Sequence, residues 1–253
     1  MAALSGLMDI MRGSGLGGAV SVSGVGRFDG REMCMVHRMF RREFGLAASV
    51  VRQVSCGDSR RAHSVAAHLR FIGTTLHHHH GGEDRYVWPL LERRAPVQAS
   101  AHVVAVMEQH RRVGVVQAAV DAELPIWSCG PSADSGERLA DALERLAVVL
   151  AEHMDYEERY VVPLMEAHIG LDEWNEIVQA IREGVQRNPS DMMLVLGMMM
   201  YEGEKDVVDN TIANMRPEVR AGIRCTAALA YAEHAQYIHG SATPPTSTQL
   251  HRP

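Results

Sequence analysis

The sequence predicts an all-α protein: an antiparallel four-helix bundle followed by a C-terminal helical extension. Hydrophobic residues make up 46% of the 253 residues but aromatic residues only 5%, and Ala, Val, Leu and Met supply most of the apolar side chains. This composition favours helices over sheets. Four long segments with helical apolar spacing are joined by short connections, which is typical of a helical bundle.

Four predicted helices make up the bundle. They span 31–54, about 60–91, about 99–122 and 135–166, and apolar residues recur in them at three- and four-residue spacing. Pro89 is expected to kink or loosen the last turn of the second helix, because proline lacks the amide hydrogen that a helix interior requires. The turn-forming residues of "ELPIWSCGPSADSG" predict a loop between the third and fourth helices.

The chain is predicted to divide into four parts. Residues 1–28 form a flexible Gly/Ser-rich leader, residues 29–170 the bundle, residues 171–240 the helical extension and residues 241–253 a disordered tail. The extension contains the stretch "MMLVLGMMM". Ordinary packing against the bundle is the favoured interpretation of this stretch, since methionine is helical and fills cores, and a partner-binding face is the alternative.

Charge and cysteine usage narrow the classes of function. The net charge is −6 and the chain has no basic block, which argues against a nucleic-acid partner. It has no stretch of about 20 apolar residues, so we expect no membrane span. The four cysteines are scattered without a CxxC pair. This disfavours a disulfide framework or a thiolate zinc site and indicates a reducing, cytoplasmic setting.

A pattern of histidine and glutamate is repeated in the second and fourth helices. His79 and Glu83 are four residues apart, as are His153 and Glu157, and each pair is followed by a Pro-Leu-apolar-Glu motif at the same distance. Residues four apart lie on one face of a helix, one turn from each other. An imidazole nitrogen and a carboxylate oxygen can therefore occupy neighbouring coordination positions of one metal.

A single histidine lies on the helix before each pair. His37 lies 42 residues before the first pair, and His110 lies 43 residues before the second. Two such units facing each other supply two carboxylates that can bridge two metals, with imidazoles at the ends. This donor set suits iron, manganese or zinc. A lone helical histidine, such as His63 or His239, is more often a surface or hydrogen-bonded residue, but a duplicated pattern is improbable by chance.

Four segments together resemble the hemerythrin-like, HHE cation-binding domain, in the form common in actinobacteria. They are "MVHRMFRREFG", "LHHHHGGEDRYVWPLLERRAP", "MEQHRRVG" and "AEHMDYEERYVVPLME", and the resemblance covers about 29–170. It implies a four-helix bundle that holds a non-haem di-iron cofactor with an oxo or hydroxo bridge. The implied metal ligands are His37, His79, Glu83, His110, His153 and Glu157, with the two glutamates as bridges.

The sequence departs from the hemerythrin pattern on the third helix, where that family places two histidines four residues apart. Val106 stands four residues before His110 and cannot ligate, and His102 lies too far along the helix. His80 is the candidate replacement, because it lies three residues before Glu83 and borders the same face.

The remaining candidates have smaller roles in this interpretation. Hemerythrins place an aspartate five residues after the histidine of the fourth helix, where this chain has Glu158, but Glu157 is the favoured ligand. His77 and His78 point away from the ligand face of the helix. His68 is expected to be a satisfied core residue or a residue that supports the metal ligands from behind.

We expect a redox-active di-iron protein that binds or reacts with O2, peroxide or another small diatomic ligand. An incomplete histidine set would leave an open position, which favours catalase- or peroxidase-like chemistry, related to oxidative stress, over pure oxygen carriage. The alternative is an iron or oxygen sensor, or an iron-buffering module, that signals to a protein partner through the C-terminal extension. The sequence lacks the Glu-x-x-His pairs of ferritin-like bundles and the His-Glu-x-x-His of zinc proteases, which disfavours both.

Overall fold

The fold is helical throughout the described residues. The computed structural model describes residues 26–184, 188–215 and 217–250, so most of the predicted leader lies outside it. The bundle region contains α1 (Arg31–Arg52), α2 (Ser59–Gly82), a π-helix (Glu83–Val87), α3 (Trp88–Arg94), α4 (Pro96–Cys129), α5 (Ala133–Tyr160) and α6 (Val162–His168). The extension contains α7 (Leu171–Gly184), α8 (Pro189–Tyr201), α9 (Lys205–Ala213), α10 (Pro217–Arg220), α11 (Ile223–His239) and α12 (Ser247–Leu250). None of the helices in these ranges has the length and apolar character needed to cross a bilayer.

The long helices α1, α2, α4 and α5 form the bundle. α1 packs beside α2 and α5, and α4 packs beside the same two helices, which closes a four-sided arrangement. Its interior is filled mainly by aliphatic side chains and a few aromatic ones, including Phe40, Leu69, Leu139, Leu143 and Leu146. The prediction of an all-α bundle with a helical extension is confirmed.

Local sequence signals set the ends of the bundle helices. Asp58 accepts a hydrogen bond of 3.0 Å from the Arg61 amide at the start of α2, and Ser132 and Ser135 cap the start of α5 reciprocally. Such caps satisfy amides that have no partner within the helix, and each contributes about 1 kcal/mol. Gly57 turns the chain between α1 and α2 with a φ of 81°, a conformation that favours glycine.

Helix α4 is longer than predicted, because it continues through Pro125 to Cys129 in the stretch that the turn residues assign to a loop. A proline inside a helix costs about 3 kcal/mol. Leu124 and Trp127 are 2% and 1% exposed and lie in the bundle core. Because burying a leucine-sized side chain contributes about 1.5–3 kcal/mol, the burial of both residues offsets the cost of the proline.

The two helical segments that carry the repeated His-x3-Glu pattern are each interrupted near a proline. After Gly82 the backbone widens into the π-helix, and Pro89 lies in the first turn of α3. In the second of these segments, α5 ends at Tyr160, and Pro163 lies in the first turn of α6. Proline is tolerated at these places because first-turn amides have no helical partner. The loosened turn expected at Pro89 is therefore present as a change of helix type.

The C-terminal extension packs along the bundle. Helices α8 and α11 lie against each other and against α1. Their close crossing requires Gly197, since a Cβ atom there would collide with the carbonyl oxygen of Ala227. Met198 is 1% exposed and shares the bundle core with Tyr231. The methionine-rich stretch thus contributes to internal packing.

Both outer boundaries differ from the predicted ones. Phe28, assigned to the leader, is buried against Trp174 with 4.3 Å between ring centroids. The segment 241–250, assigned to a disordered tail, contains α12, which packs against α1, and it also contacts the extension. Ser247 is buried, and its amide and hydroxyl donate hydrogen bonds of 2.8 and 2.6 Å to Glu202. The polar composition of the tail does not reveal these contacts, because they are made with residues distant in sequence.

Candidate metal centre

Seven histidine and glutamate side chains converge inside the bundle, and all are buried or nearly so. They are His37 from α1, His79 and His80 from α2, Glu83 from the π-helix, His110 from α4, and His153 and Glu157 from α5. The structure therefore brings together all the side chains that the sequence selects as metal ligands, including the candidate replacement His80.

The Glu83 carboxylate lies between imidazoles of two helices. Its Oε1 atom is 3.1 Å from Nε2 of His79, and its Oε2 atom is 3.6 Å from Nε2 of His110. Burial and the neighbouring Glu157 carboxylate raise the pKa of Glu83 well above its usual value. A cation beside this carboxylate would oppose both effects and favour its ionised form.

The Glu157 carboxylate has the corresponding place on the other side. Its Oε2 atom is 3.4 Å from Nε2 of both His37 and His153. Burial opposes its ionisation, but His37 and the other imidazoles outweigh burial and lower the pKa of Glu157. Burial likewise opposes a charge on His37, yet Glu157 and Glu158 raise its pKa. The groups around Glu157 therefore stabilise a positive charge next to its carboxylate.

The donor atoms form two groups that meet at the glutamates. One group comprises His37, His79 and Glu83, and the other comprises His80, His110 and His153. Within each group the donor atoms lie within 4.8 Å of one another. Glu83 lies next to one histidine from each group, and so does Glu157. Their carboxylates are therefore placed to be shared by two cations.

His79 and His80 face different groups although they are consecutive. Successive residues of an α-helix point about 100° apart. The His79 ring lies 5.5 Å from the His37 ring, whereas the His80 ring stacks on His110 with centroids 4.1 Å apart. Val106 is fully buried among apolar side chains. His80 thus provides an imidazole on the side where Val106 has none.

Three imidazoles are oriented by hydrogen bonds at Nδ1. The pairs are His37 with Glu158 at 2.9 Å, His110 with Asp84 at 2.8 Å, and His153 with Gln109 at 3.2 Å. Donation from Nδ1–H leaves the Nε2 lone pair directed into the centre, which is the arrangement that metal-binding histidines require.

The acceptors of these hydrogen bonds were missed by sequence reasoning, which considered Glu158 only as a substitute ligand. A signal was available for two of them. Glu83 and Glu157 are each followed directly by another acidic residue, Asp84 and Glu158. Since the next helical residue points about 100° away, it lies behind the ligand face, where it can accept from an imidazole. We find no comparable signal for Gln109.

Burial keeps most of these imidazoles neutral. It lowers the pKa of His79 and of His80 well below the usual value, and neighbouring histidines shift both in the same direction. Burial also lowers the pKa of His153 to about 4. The neutral imidazole is the form that binds a metal.

Nine potential ligand atoms in the centre have no hydrogen-bond partner among the described residues. They are Nε2 of the five histidines and both carboxylate oxygens of Glu83 and Glu157. Buried polar groups are almost always hydrogen-bonded, and an unpaired one costs about 1–3 kcal/mol. The concentration of such atoms at one place, all of types that ligate metals, fits a pair of cations.

A cavity of about 330 Å³ lies between α2 and α4 and borders the centre. His80, His110 and Asp84 form part of its lining, together with Gly81 and Gly114. A Cβ atom at either glycine would meet no atom within 4 Å, so these residues leave the cavity wide. A small molecule can approach the three-histidine group by this route.

Other histidines near the motifs lie outside the centre. Nδ1 of His102 is 2.8 Å from the Tyr156 hydroxyl. His77 is exposed, and the His78 ring lies 6.0 Å from it. His68 lies in a separate cluster, between the bundle and the extension.

The comparison with protein families agrees with this geometry. Residues 31–165 match the hemerythrin HHE cation binding domain. The match covers more than half of the 253 residues and includes all seven converging side chains. The chain belongs to the hemerythrin HHE family. Comparisons with curated proteins and with solved structures gave no significant match.

The hemerythrin HHE domain ends within α6, so the extension lies beyond the matched residues. The hemerythrin HHE match is to a cation-binding domain, which agrees with the imidazole and carboxylate donors of the centre. All four cysteines of this hemerythrin HHE protein are free thiols, and Cys56, Cys129 and Cys225 are exposed.

Proposed function

We propose that this hemerythrin HHE protein holds two iron ions in the bundle and reacts through them with O2 or peroxide. The observation that carries the proposal is the convergence of nine buried nitrogen and oxygen atoms without hydrogen-bond partners among the described residues. Imidazoles and carboxylates are donors that iron accepts. The ligands would be His37, His79, His80, Glu83, His110, His153 and Glu157.

The two iron positions would not be equivalent. His37 and His79 supply two imidazoles to one position, whereas His80, His110 and His153 supply three to the other. If both carboxylates are shared, the first position has fewer protein donors and keeps room for a small molecule. When bound, the iron pair supplies the redox chemistry, exchanging electrons with O2 or peroxide.

Glu158 connects the centre with solvent. It accepts a hydrogen bond from Nδ1 of His37 at 2.9 Å and another from Arg41 at 2.6 Å, and Arg41 also donates to Asp155 at the surface. His37 can therefore hold a proton at Nδ1 against a carboxylate that is 27% exposed. Since the reduction of O2 or peroxide consumes protons, this contact supports the proposed chemistry.

Apolar side chains surround the imidazoles and limit the amount of water near them. The ring of Phe40 lies 5.3 Å from that of His79, and the ring of Trp88 lies 6.1 Å from that of His110. Val106 is fully buried beside them. A dry environment strengthens the attraction between the carboxylates and a cation.

Metal analysis combined with optical spectroscopy tests the proposal. Iron-loaded protein is expected to contain two irons per chain, and the anaerobically reduced form should gain charge-transfer absorption when O2 or peroxide is added. An oxygen electrode then separates peroxide turnover, which releases O2, from binding alone.

Two variants make this test specific. Glu83→Gln should lose iron and the optical response, whereas His63→Gln, which alters an exposed histidine near the start of α2, should keep both. Iron-loaded protein that responds to neither oxidant would contradict the proposed reaction. Absence of iron after anaerobic loading would contradict the proposed centre.

A further inference from the structure

A second histidine cluster lies between the bundle and the extension. Glu43 of α1, His68 of α2 and His239 at the end of α11 place one potential ligand atom each within 4.8 Å of one another. The cluster is separate from the first centre. Glu43 lies about 9 Å along α1 from His37, and His68 lies about 16 Å along α2 from His79, at 1.5 Å per residue.

Two contacts of the Glu43 carboxylate are close to the spacing of ligand atoms around one metal. Oε2 of Glu43 is 3.1 Å from Nε2 of His239 and 3.5 Å from Nε2 of His68. In a tetrahedral site with metal–ligand bonds of 2.0–2.2 Å, neighbouring ligand atoms are about 3.3–3.6 Å apart. A cation could therefore enter the cluster with little movement of these side chains.

Nε2 of His68 is the atom that points most directly to a missing ligand. His68 is 3% exposed, and within the described ranges this nitrogen has no hydrogen-bond partner. Its Nδ1 lies 3.0 Å from Nε2 of His234. When Nδ1–H donates to His234, the Nε2 lone pair of His68 faces the Glu43 carboxylate. Burial lowers the pKa of His68 to about 3, so this ring is neutral near pH 7.

The charged groups around the cluster are compatible with a bound cation. Oε1 of Glu43 accepts hydrogen bonds from Arg42 at 2.9 Å and from Tyr231 at 2.8 Å, whereas Oε2 faces the cluster and pairs with Nε2 of His239 at 3.1 Å. A cation would replace the proton of that His239 hydrogen bond. Arg42 is also paired with Glu202 at 2.7 Å. Two carboxylates therefore accompany one guanidinium, which leaves a net negative charge. His239 is the last residue of α11, and the C-terminal end of a helix favours positive charge.

We propose that Glu43, His68 and His239 bind a divalent transition-metal cation, preferentially zinc, which fastens the extension to the bundle. Two imidazoles and one carboxylate form a known three-ligand set for zinc, with the fourth position available to water. His234 and Tyr231 act as positioning residues through their hydrogen bonds to two of the ligands. Since His239 lies beyond the family match, the site requires the extension.

Zinc binding to the full-length, iron-loaded protein tests the proposal. After incubation with Zn²⁺ and removal of the excess, mass spectrometry should find about one zinc per chain in addition to the iron. His68→Gln and His239→Gln should each lower zinc affinity at least about tenfold. Both should retain the iron, which shows that the bundle is folded. His63→Gln alters an exposed histidine on the helix of His68 and should retain the zinc.

Thermal unfolding of the same iron-loaded proteins gives a second readout. Zn²⁺ should raise the Tm of the wild type and of His63→Gln but leave that of His239→Gln unchanged, because a ligand stabilises only a state that binds it. Loss of iron from Glu83→Gln with zinc binding retained would show that the two sites are independent. No zinc in the wild type, or zinc at the wild-type level in both His68→Gln and His239→Gln, would overturn the proposal and leave the cluster as a hydrogen-bonded contact.

Discussion

The imidazole rings of His80 and His110 stack face to face, with centroids 4.1 Å apart and planes 15° apart. A proton on the His80 ring would be unfavourable so close to a second imidazole. Burial and the neighbouring histidines accordingly lower the pKa of His80 well below its usual value. His153 lies edge-on to His80, with 4.9 Å between centroids. Imidazoles from three helices are thus directed toward one another, and burial lowers the pKa of both His80 and His153. A cation between the three rings would stabilise this arrangement.

His80→Ala tests whether this stacked ring is a ligand. We expect the variant to keep its helical fold and to lose at least about tenfold in the affinity of one iron, because even substitutions behind a ligand shell cost that much. Iron content should fall from two to nearly one per chain after gel filtration. His77→Ala, which removes an exposed neighbour, is the matched control. Equal iron in the two variants would remove His80 from the ligand set.

Asp84→Asn tests the hydrogen bond behind His110. The Asp84 carboxylate accepts from Nδ1 of His110 at 2.8 Å and from the Trp88 indole at 3.0 Å. Asparagine keeps an acceptor of the same shape but removes the negative charge that makes the imidazole a better donor to the metal. Iron affinity, measured by competition with a chelator, should fall about 10–100-fold. Glu92→Gln changes an exposed acid of α3 and should leave the affinity unchanged; a similar loss in both variants would indicate a general charge effect.

The repeated His-x3-Glu spacing predicted which residues approach one another, because residues four apart share a face of any regular helix. His79 lies 3.1 Å from Glu83, and His153 lies 3.4 Å from Glu157. The position of His80 three residues before Glu83 made it a candidate ligand, but its stacking on His110 could not be derived from its own helix. Two consecutive residues can both border the interior only when neighbouring helices leave room on both sides, and periodicity contains no information about those neighbours.

Sequence patterns reveal even less about the contacts between the extension and the bundle. Its helices could be predicted from local patterns, but His239 and Glu43 are 196 residues apart in sequence, and Ser247 and Glu202 are 45 apart. The composition around Ser247 predicts a disordered tail. This prediction is wrong because the contacts that order the segment come from residues distant in sequence. The cluster around His68 could not be found for the same reason. A role of the extension in sensing or in binding a protein partner stays a prediction.

Metal uptake should release protons. Although burial opposes it, Glu157 and Glu158 raise the pKa of His37, while burial and Glu157 raise that of Glu83. The metal-free protein therefore tends to hold protons on two groups that must lose them to ligate. Zn²⁺ or anaerobic Fe²⁺, added in weakly buffered indicator solution near pH 7, should therefore release protons, which the indicator reports.

The protons held by His37 and Glu83 also determine how metal binding changes with pH. Because binding releases protons, a fall in pH weakens binding, and metal should dissociate progressively in acid. Glu83→Gln carries no titratable proton at that position and should release about one proton fewer for any metal that it still binds. Binding that is independent of pH between about 5 and 7 would contradict the proposed protonation states.

Gly114→Phe tests whether the cavity between α2 and α4 is the route to the centre. A Cβ atom at Gly114 meets no atom within 4 Å, and a helix gains up to about 1 kcal/mol when a glycine is replaced. The variant should therefore fold and keep its iron. An aromatic ring projecting into the cavity should slow the reaction with peroxide or the binding of azide at least about tenfold, which corresponds to 1.4 kcal/mol of barrier. Stopped-flow absorption measures both rates.

Val115→Phe provides the control for added bulk on the same helix, because Val115 is 61% exposed and is not among the residues that line the cavity. Its rates should equal those of the wild type. If both variants react at the wild-type rate, small molecules must reach the centre elsewhere, and the side of His37 and Glu158, where the centre has fewer imidazoles, becomes the expected entrance. A slower reaction in Gly114→Phe alone would place the route beside His80 and His110.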